Sequence, residues 1–209
     1  MSKSTSAEGV KLEISKILNK LGALQFGAFK LTSGKLSPYY IDLRIVPSFP
    51  DSFQTICNFY VTLIKNEIGI GKIERVAGIP IAGIPFASVV AYSLMKPFLY
   101  VRRGERLHGR QRRIEGIIAP GDNVVLVDDL VTTGLSLQKA AKILTAEGGL
   151  VKHAVVLLDR EEGGKEKLKQ GGIELHALLK ISEVAQTLHD LDVIDEMQLK
   201  TILKQIKKK

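Results

Sequence analysis

Five short apolar runs recur along the chain, and their recurrence restricts the fold more than any other feature. The runs are rich in Val, Ile and Leu, and they cover residues 75–79, 98–101, 123–127, 153–158 and 174–179. Segments with helical spacing of apolar residues separate several of them, at residues 84–95 and 135–147. Apolar strands that alternate with helices are typical of a parallel sheet covered on both faces. We therefore predict an α/β fold with a central, mainly parallel sheet flanked by helices.

The parts of the chain on either side of this alternation are predicted to be mainly helical. Apolar residues at helical spacing indicate one helix near residues 10–21, a second over residues 53–68 and two short helices within residues 182–207. Residues 39–43 are predicted to be extended. A chain of 209 residues has room for one sizeable domain. We divide it into an N-terminal segment that we call the hood (residues 1–48), a core (49–180) and C-terminal helices (181–209).

The net charge of +8 indicates anionic partners without identifying them. The basic residues concentrate between Arg102 and Arg113 and in the tail from Lys204 to Lys209. Few aromatic residues accompany them, and neither helix-turn-helix nor zinc-finger spacing occurs, so we expect no nucleic-acid partner. A long polar excursion inside an α/β domain, such as the arginine-rich one here, is usually either functional or disordered.

The single cysteine and the apolar segments bear on the environment of the chain. Cys57 lies in an apolar helical stretch, which predicts a buried thiol, no disulfide within the chain and a reducing, cytoplasmic setting. Residues 1–9 are polar and are not typical of a signal peptide. Residues 76–95 carry no charge, but two prolines and a glycine interrupt them near the centre. We interpret this stretch as a strand, a tight loop and a buried helix, and not as a membrane span.

The strongest local signal is the segment from Asn123 to Ser136. An apolar strand is predicted to end at two adjacent acids, Asp128 and Asp129, after which a short Thr/Gly loop opens a helix. The free amides and positive dipole end of a helix N-terminus bind phosphate, and Gly134 permits close approach of the backbone. The two carboxylates suit sugar hydroxyls or hydrated Mg²⁺. The alternative is that both acids only cap the helix.

This segment lacks the lysine and glycine spacing of Walker loops and dinucleotide-binding turns. It resembles the motif with which type I phosphoribosyltransferases bind phosphoribosyl pyrophosphate (PRPP). The resemblance implies that residues 132–136 hold the 5-phosphate and that the two acids contact the ribose hydroxyls. The implied PRPP contacts here are Asp128, Asp129, Leu130, Val131, Thr132, Thr133, Gly134, Leu135 and Ser136.

Four further segments resemble the orotate phosphoribosyltransferase family, so that the resemblance covers nearly the whole chain. They are residues 31–44, 78–85, 100–109 and 157–160. The resemblance implies the type I phosphoribosyltransferase fold with a base-binding hood, and it implies that the amides of Ile81 and Ala82 face the pyrophosphate. Arg160 would pair with the carboxylate of orotate, because a guanidinium matches a carboxylate in a forked geometry. The implied orotate contacts are Ser33, Gly34, Tyr40, Ile41, Thr132 and Arg160.

The segment at residues 100–109 is similar to the mobile catalytic loop of that family. The resemblance implies PRPP contacts from Arg102, Arg103, Arg106 and His108. It implies catalytic roles for Arg103, Arg106 and His108, together with Asp129. The chain departs from the family pattern, since Arg103, Arg106, Thr32 and Ala82 stand where lysine is common, and Gly104 stands where an acid is. An arginine can neutralise a departing pyrophosphate, but it is a poor proton donor.

The same resemblance implies a cofactor, an assembly and a reaction. Mg²⁺ would bind mainly through PRPP, with Asp128 or Asp129 reaching it through water. Two chains would form a homodimer in which residues 102–116 close over the neighbouring site. The expected reaction transfers ribose 5-phosphate from PRPP to N1 of orotate in UMP biosynthesis. Two alternatives stay open, a phosphoribosyltransferase for another base and a PRPP-sensing regulator with weak activity.

Overall fold

A computed structural model describes residues 6–30, 36–102 and 113–207. The hood begins with helix α1 (Ala7–Lys20), which Ser6 caps by accepting a hydrogen bond from the amide of Gly9. Strands β1 (Leu24–Lys30) and β2 (Leu36–Ile41) follow and pair in an antiparallel manner. A 3₁₀ helix at Leu43–Ser48 then leads into the core.

The core is built on a six-stranded sheet. Its strands are β3 (Arg75–Gly78), β4 (Phe98–Val101), β5 (Ile114–Glu115), β6 (Asn123–Val131), β7 (Leu150–Asp159) and β8 (Glu174–Lys180). They lie in the order β5-β4-β3-β6-β7-β8, and every neighbouring pair except β4 and β5 is parallel. The carboxyl ends of β3, β6 and β7 therefore meet at one edge of the sheet.

Helices cover both faces of this sheet. They are α2 (Pro50–Leu63), α3 (Gly83–Ser93), α4 (Leu135–Ala146), α5 (Gly164–Gln170), α6 (Ile181–Asp190) and α7 (Glu196–Lys207). The larger apolar core joins one face of the sheet to α2, α3, α6, α7 and the hood, and a second core joins the other face to α4 and α5. A π-helical turn at Ile64–Ile68 extends α2.

The predicted α/β architecture is confirmed, and so is the interpretation of residues 76–95. That stretch divides into β3, a loop at residues 79–82 and the eleven-residue helix α3. Cys57 is buried as predicted. Within the three described ranges no helix has both the length and the apolar character that a membrane crossing requires.

The predicted end of β6 was wrong by two residues. The strand was expected to end in the acid pair, Asp128 and Asp129, but it continues through both acids to Val131. The reason is its pairing with β7, in which Asp128 lies opposite Val156 and Val131 opposite Asp159. Ladder hydrogen bonds thus hold the acids in the sheet, although aspartate is a poor strand former.

Among the strands and α-helices of the described residues, β1, β5 and α5 were not predicted from the sequence. The apolar alternation of β1 breaks at Gly27, which has a φ of 154°, and the register with β2 shifts between Phe26 and Phe29. A bulge of this kind moves the following side chains to the other face and hides the period of a strand. The other two elements are short, with two residues in β5 and seven in α5.

Candidate active site

A cavity of about 170 Å³ lies at the carboxyl edge of the sheet, between β3 and β6. It is lined by the loop after β3, the end of β6 and the first turn of α4. The lining residues are Pro80, Ile81, Ala82, Asp128, Asp129, Leu130, Val131, Thr132, Thr133, Gly134, Leu135, Ser136 and Leu137. Two segments that are far apart in the sequence thus form one site, and together they contain every PRPP contact that the resemblance implies outside residues 102–108.

The turn from β6 into α4, residues 128–136, is here called the phosphate turn. Gly134 has a φ of 74° and stands at the N-cap of α4, where no side chain caps the helix. The amides at the start of α4 therefore open toward the cavity without a side-chain acceptor. Uncapped amides and the positive helix end make a binding site for a phosphate. Because α4 begins only at Leu135, the interpretation of the two acids as helix caps is wrong.

The phosphate turn is packed tightly against the start of α5. A Cβ added to Gly164 would lie 2.5 Å from the carbonyl oxygen of Thr132 and 2.7 Å from a methyl of Val131. Real Cβ atoms do not approach backbone atoms so closely, so Gly164 lets the turn close. Sequence reasoning missed this role, because it rests on a contact between two loops with no local signature.

The acid pair is held from two sides. The hydroxyl of Tyr60 in α2 donates a 2.7 Å hydrogen bond to the backbone carbonyl of Asp128. On the other side, a Cβ at Gly83 would fall 2.6 Å from Oδ1 of Asp128, so α3 begins in close contact with that side chain. Neither Tyr60 nor Gly83 was assigned to the site from the sequence.

The two carboxyl groups are in different environments. Asp128 is only 7% exposed, and its Oδ1 accepts a 2.9 Å hydrogen bond from the amide of Asp129. Burial raises the pKa of Asp129, because desolvation disfavours the charged carboxylate. Arg44 in the hood opposes that rise through its positive charge. A hydroxyl donor or a cation in the cavity would likewise stabilise the charged form of Asp129.

The hood contributes a second set of groups at the same edge. Tyr39 is 2% exposed, and the guanidinium carbon of Arg160 lies 5.1 Å from the centre of its ring. The amide of Arg160 donates to the carbonyl of Val131, which fixes this residue beside the phosphate turn. We call the three residues Tyr39, Arg160 and Glu162 the base corner.

Not every donor of the Arg160 guanidinium has a hydrogen-bond partner among the described residues. Its Nη2 lies 3.1 Å from Oε1 of Glu162, and the side chain is 13% exposed. Its Nε is buried and has no hydrogen-bond partner among the residues that the structure describes. The backbone of Arg160 is fixed beside the phosphate turn, and the forked geometry of its guanidinium is suited to a ligand carboxylate.

Tyr40 and Ile41, two hood residues named from the sequence, differ in their exposure and in their contacts. Tyr40 is 37% exposed, and its ring packs 5.7 Å from that of Phe29, while its hydroxyl accepts a 3.3 Å hydrogen bond from Arg44. Ile41 is partly buried against the larger core. Their predicted contact with a pyrimidine stays a prediction, whereas Tyr39, among the described residues of the hood, contacts Arg160. The tyrosine pair in the sequence was the available signal, but it did not distinguish the two rings.

Several predicted site residues fall outside the described ranges. Ser33 and Gly34 belong to the unassigned part of the hood, and Arg103, Arg106 and His108 to residues 103–112. At the borders of that second range, Arg102 donates its amide to the carbonyl of Arg113 and places Nη1 2.9 Å from Oε1 of Glu115. Arg102 thus stands at the carboxyl end of β4, the strand next to β3.

Fold and site together correspond to one class of protein. A family model described as the phosphoribosyl transferase domain matches residues 55–174, which include the whole cavity lining. The mainly parallel sheet and its flanking helices are those of the type I phosphoribosyltransferase fold.

Individual relatives indicate which family within this class the chain resembles. An orotate phosphoribosyltransferase of Staphylothermus marinus is 41% identical over 94% of this chain and 92% of its own length. One of Sulfolobus acidocaldarius is 40% identical over 91% of this chain and 94% of its own. The crystal structure of orotate phosphoribosyltransferase from Aeropyrum pernix superposes with a TM-score of 0.72, at 32% identity, covering 86% of this chain and 99% of that one. The chain belongs to the orotate phosphoribosyltransferase family.

Proposed function

We propose that the chain transfers ribose 5-phosphate from PRPP to N1 of orotate, giving orotidine monophosphate and pyrophosphate. The observation that carries the proposal is the cavity at the carboxyl edge of the sheet, where the acid pair, the amides of α4 and the loop after β3 converge. The relatives that share most of the chain's length are named for this activity. The reaction supplies a step of UMP biosynthesis.

We place PRPP along the cavity by matching its charges to the lining. The 5-phosphate lies on the amides and hydroxyls of the phosphate turn, where Thr132, Thr133 and Ser136 add donors. The ribose hydroxyls face Asp128 and Asp129. The pyrophosphate lies at the loop after β3, against the amides of Ile81 and Ala82. This arrangement leaves the anomeric carbon facing the hood.

Orotate is proposed to lie between the hood and Arg160. Its carboxylate would pair with the guanidinium of Arg160, a charge-assisted contact of high specificity. Thr132, Tyr40, Ile41, Ser33 and Gly34 complete the proposed contacts. The base corner supports this placement, because Arg160 is fixed beside the end of β6 and over the ring of Tyr39.

The chemistry requires positioning and charge stabilisation more than a strong base. The bond from the anomeric carbon to pyrophosphate breaks while the bond to N1 forms, and positive charge develops on the ribose. Holding both reactants in line can supply roughly 7 kcal/mol of barrier lowering. Cationic groups near the departing oxygens supply a further part. N1 of orotate is acidic enough to react as the anion.

We propose Mg²⁺ as the cofactor, held mainly by PRPP. The donor set fits this ion, since Asp128 and Asp129 offer hard carboxylate oxygens and a nearby cation would offset the burial of Asp129. These two residues would hold it through water. When bound, Mg²⁺ supplies counter-charge to the pyrophosphate.

The arginine-rich loop is proposed to cover the cavity during the reaction. Arg102, Arg103, Arg106 and His108 would neutralise the pyrophosphate, and closure would exclude water. Arg106→Ala should lower turnover at least about tenfold and PRPP affinity less, because the loop contact strengthens as charge develops. Single-turnover kinetics against a PRPP titration measure the two effects, and an equally active variant would exclude this role.

We also propose a homodimer in which residues 102–116 close over the neighbouring site, and a cytoplasmic location. The buried thiol of Cys57 supports a reducing compartment. Sedimentation over a concentration series tests the dimer. Mixing an Arg106→Ala chain with an Asp129→Asn chain tests the shared site, since mixed dimers should recover part of the activity.

The activity itself is tested by ultraviolet loss of orotate in the presence of PRPP and Mg²⁺. Uracil, hypoxanthine and adenine in place of orotate are the controls. We expect turnover with orotate and none with the three control bases. Turnover of a purine would establish a phosphoribosyltransferase for another base, and PRPP binding without turnover would favour a regulator.

A further inference from the structure

A cluster of histidine and glutamate side chains lies toward the amino ends of β7 and β8, away from the cavity. In the parallel ladder, His153 lies opposite Glu174 and Val155 lies opposite His176. Because side chains alternate along a strand, His153, Glu174 and His176 project from the same face of the sheet. His153 lies six residues before Asp159, the last residue of β7. At ~3.3 Å per residue, the cluster is therefore about 20 Å from the carboxyl edge of the sheet.

The three side chains bring their ligand atoms together. Nδ1 of His153 lies 3.2 Å from Nε2 of His176 and 3.6 Å from Oε2 of Glu174. Nε2 of His176 lies 3.9 Å from the same carboxylate oxygen. A tetrahedral ion with bonds of about 2.0–2.1 Å separates its ligand atoms by roughly 3.3–3.5 Å. The observed triangle therefore needs only small adjustments to surround one ion.

A fourth residue fixes the orientation of the central imidazole. Nδ1 of His176 lies 2.5 Å from Oε2 of Glu67, in the π-helical turn that follows α2. This contact directs Nε2 of His176 toward the other two ligand atoms. Metal-binding histidines regularly donate their second ring N–H to a carboxylate in this manner. His176 is buried, so the orientation is also maintained by packing.

We propose that His153, Glu174 and His176 form a site for a transition-metal cation of the Zn²⁺ type, with Glu67 as the orienting carboxylate. Two imidazoles and one carboxylate favour Zn²⁺ over Mg²⁺, which prefers oxygen ligands alone. Three protein ligands leave one coordination position for water. The site is independent of the proposed transferase activity.

Nearby lysines set a limit on its affinity. Lys72 and Lys152 line a cavity of about 250 Å³ beside His153, and their positive charges oppose a bound cation. In the absence of metal, one ring of the histidine pair can simply donate a hydrogen bond to the other. A direct metal titration distinguishes this hydrogen-bonded pair from the proposed site.

The test is a Zn²⁺ titration of the full chain, prepared without a histidine tag and stripped with a chelator. Competition with a chromophoric chelator gives the affinity, and excess Mg²⁺ occupies sites that prefer oxygen ligands alone. Co²⁺ in place of Zn²⁺ reports the ligand geometry through its visible absorption. The variants are His153→Gln, Glu174→Gln and Glu67→Gln. The fold should tolerate them, because His153 is partly exposed and both glutamates are exposed. Matched controls are His189→Gln and Glu147→Gln, which lie outside the cluster.

We expect one Zn²⁺ per chain and a higher midpoint of thermal unfolding with Zn²⁺ than with chelator. His153→Gln should weaken binding more than about 100-fold, and Glu67→Gln by roughly 10- to 100-fold, the range for loss of an orienting partner. The controls should match the unmodified chain. Absence of stoichiometric Zn²⁺ binding would overturn the proposal. So would a Zn²⁺ affinity of His153→Gln and Glu174→Gln equal to that of the unmodified chain.

Discussion

The phosphate turn and the base corner lie side by side, yet they are built in different ways. The phosphate turn is one continuous stretch, and its proposed binding groups are mostly backbone amides at the start of α4. The base corner joins Tyr39 of the hood to Arg160 after β7, and its proposed binding groups are side chains. The first should therefore be sensitive to added volume, and the second to the loss of particular functional groups.

The largest effect is expected from crowding the phosphate turn. Gly164→Ala places a methyl against the carbonyl of Thr132, so the turn must shift. Because a displacement of about 1 Å can cost roughly 100-fold in rate, kcat/KM for PRPP should fall by at least that factor. Gly71→Ala is the matched control, since a Cβ there meets nothing within 4 Å. A Gly164→Ala enzyme with normal PRPP kinetics would show that the turn is not closed by this contact.

The next effect is expected at the base corner. Arg160→Ala removes the buried guanidinium, and loss of one partner of a buried charge pair costs at least about 2 kcal/mol, or roughly 30-fold. The loss should appear in kcat/KM for orotate, while PRPP affinity measured without orotate changes little. Arg160→Lys keeps the charge without the fork and should recover only part of the activity. A parallel loss of PRPP affinity would contradict the division between the two regions.

Asp129→Asn should weaken PRPP binding about tenfold, the value of a hydrogen bond to a charged group.

Asp129→Asn should also stabilise the fold at neutral pH. The folded-state pKa of Asp129 is raised, so its contribution to stability is greatest at low pH and falls as the pH rises through that pKa. The gain from Asn should therefore be present at pH 7 and small at pH 4. Thermal unfolding at both values checks this, with the exposed Asp190→Asn as control.

The smallest effect is expected from the ring of Tyr39. Tyr39→Leu removes the aromatic face under Arg160, and a cation–π contact of about 0.5–1 kcal/mol corresponds to a roughly two- to fivefold rise in KM for orotate. Tyr39→Phe keeps the ring and should have a smaller effect. Steady-state kinetics on the two variants measure the contribution. If Phe and Leu behave alike, the hydroxyl and not the ring supports Arg160.

The same contrast explains what could be predicted from the sequence. The phosphate turn was recognisable because its acids, hydroxyls and glycine are neighbours in the chain. Its boundary was misplaced because the end of β6 is decided by pairing with β7. Tyr39, Gly83 and Gly164 were missed because their roles depend on contacts with distant segments. The histidine cluster was missed for a related reason, since the register between β7 and β8 brings His153 and His176 together.

The hydrogen bond from Tyr60 to the backbone of Asp128 connects the interior of the protein to its reactive edge. Tyr60, on helix α2, thereby fixes the position of the end of β6, which is proposed to contact the sugar. Redesign of the interior for heat resistance would then change substrate affinity, even though no altered residue meets a substrate. Tyr60 is therefore expected to influence both the thermal stability and the turnover of this chain.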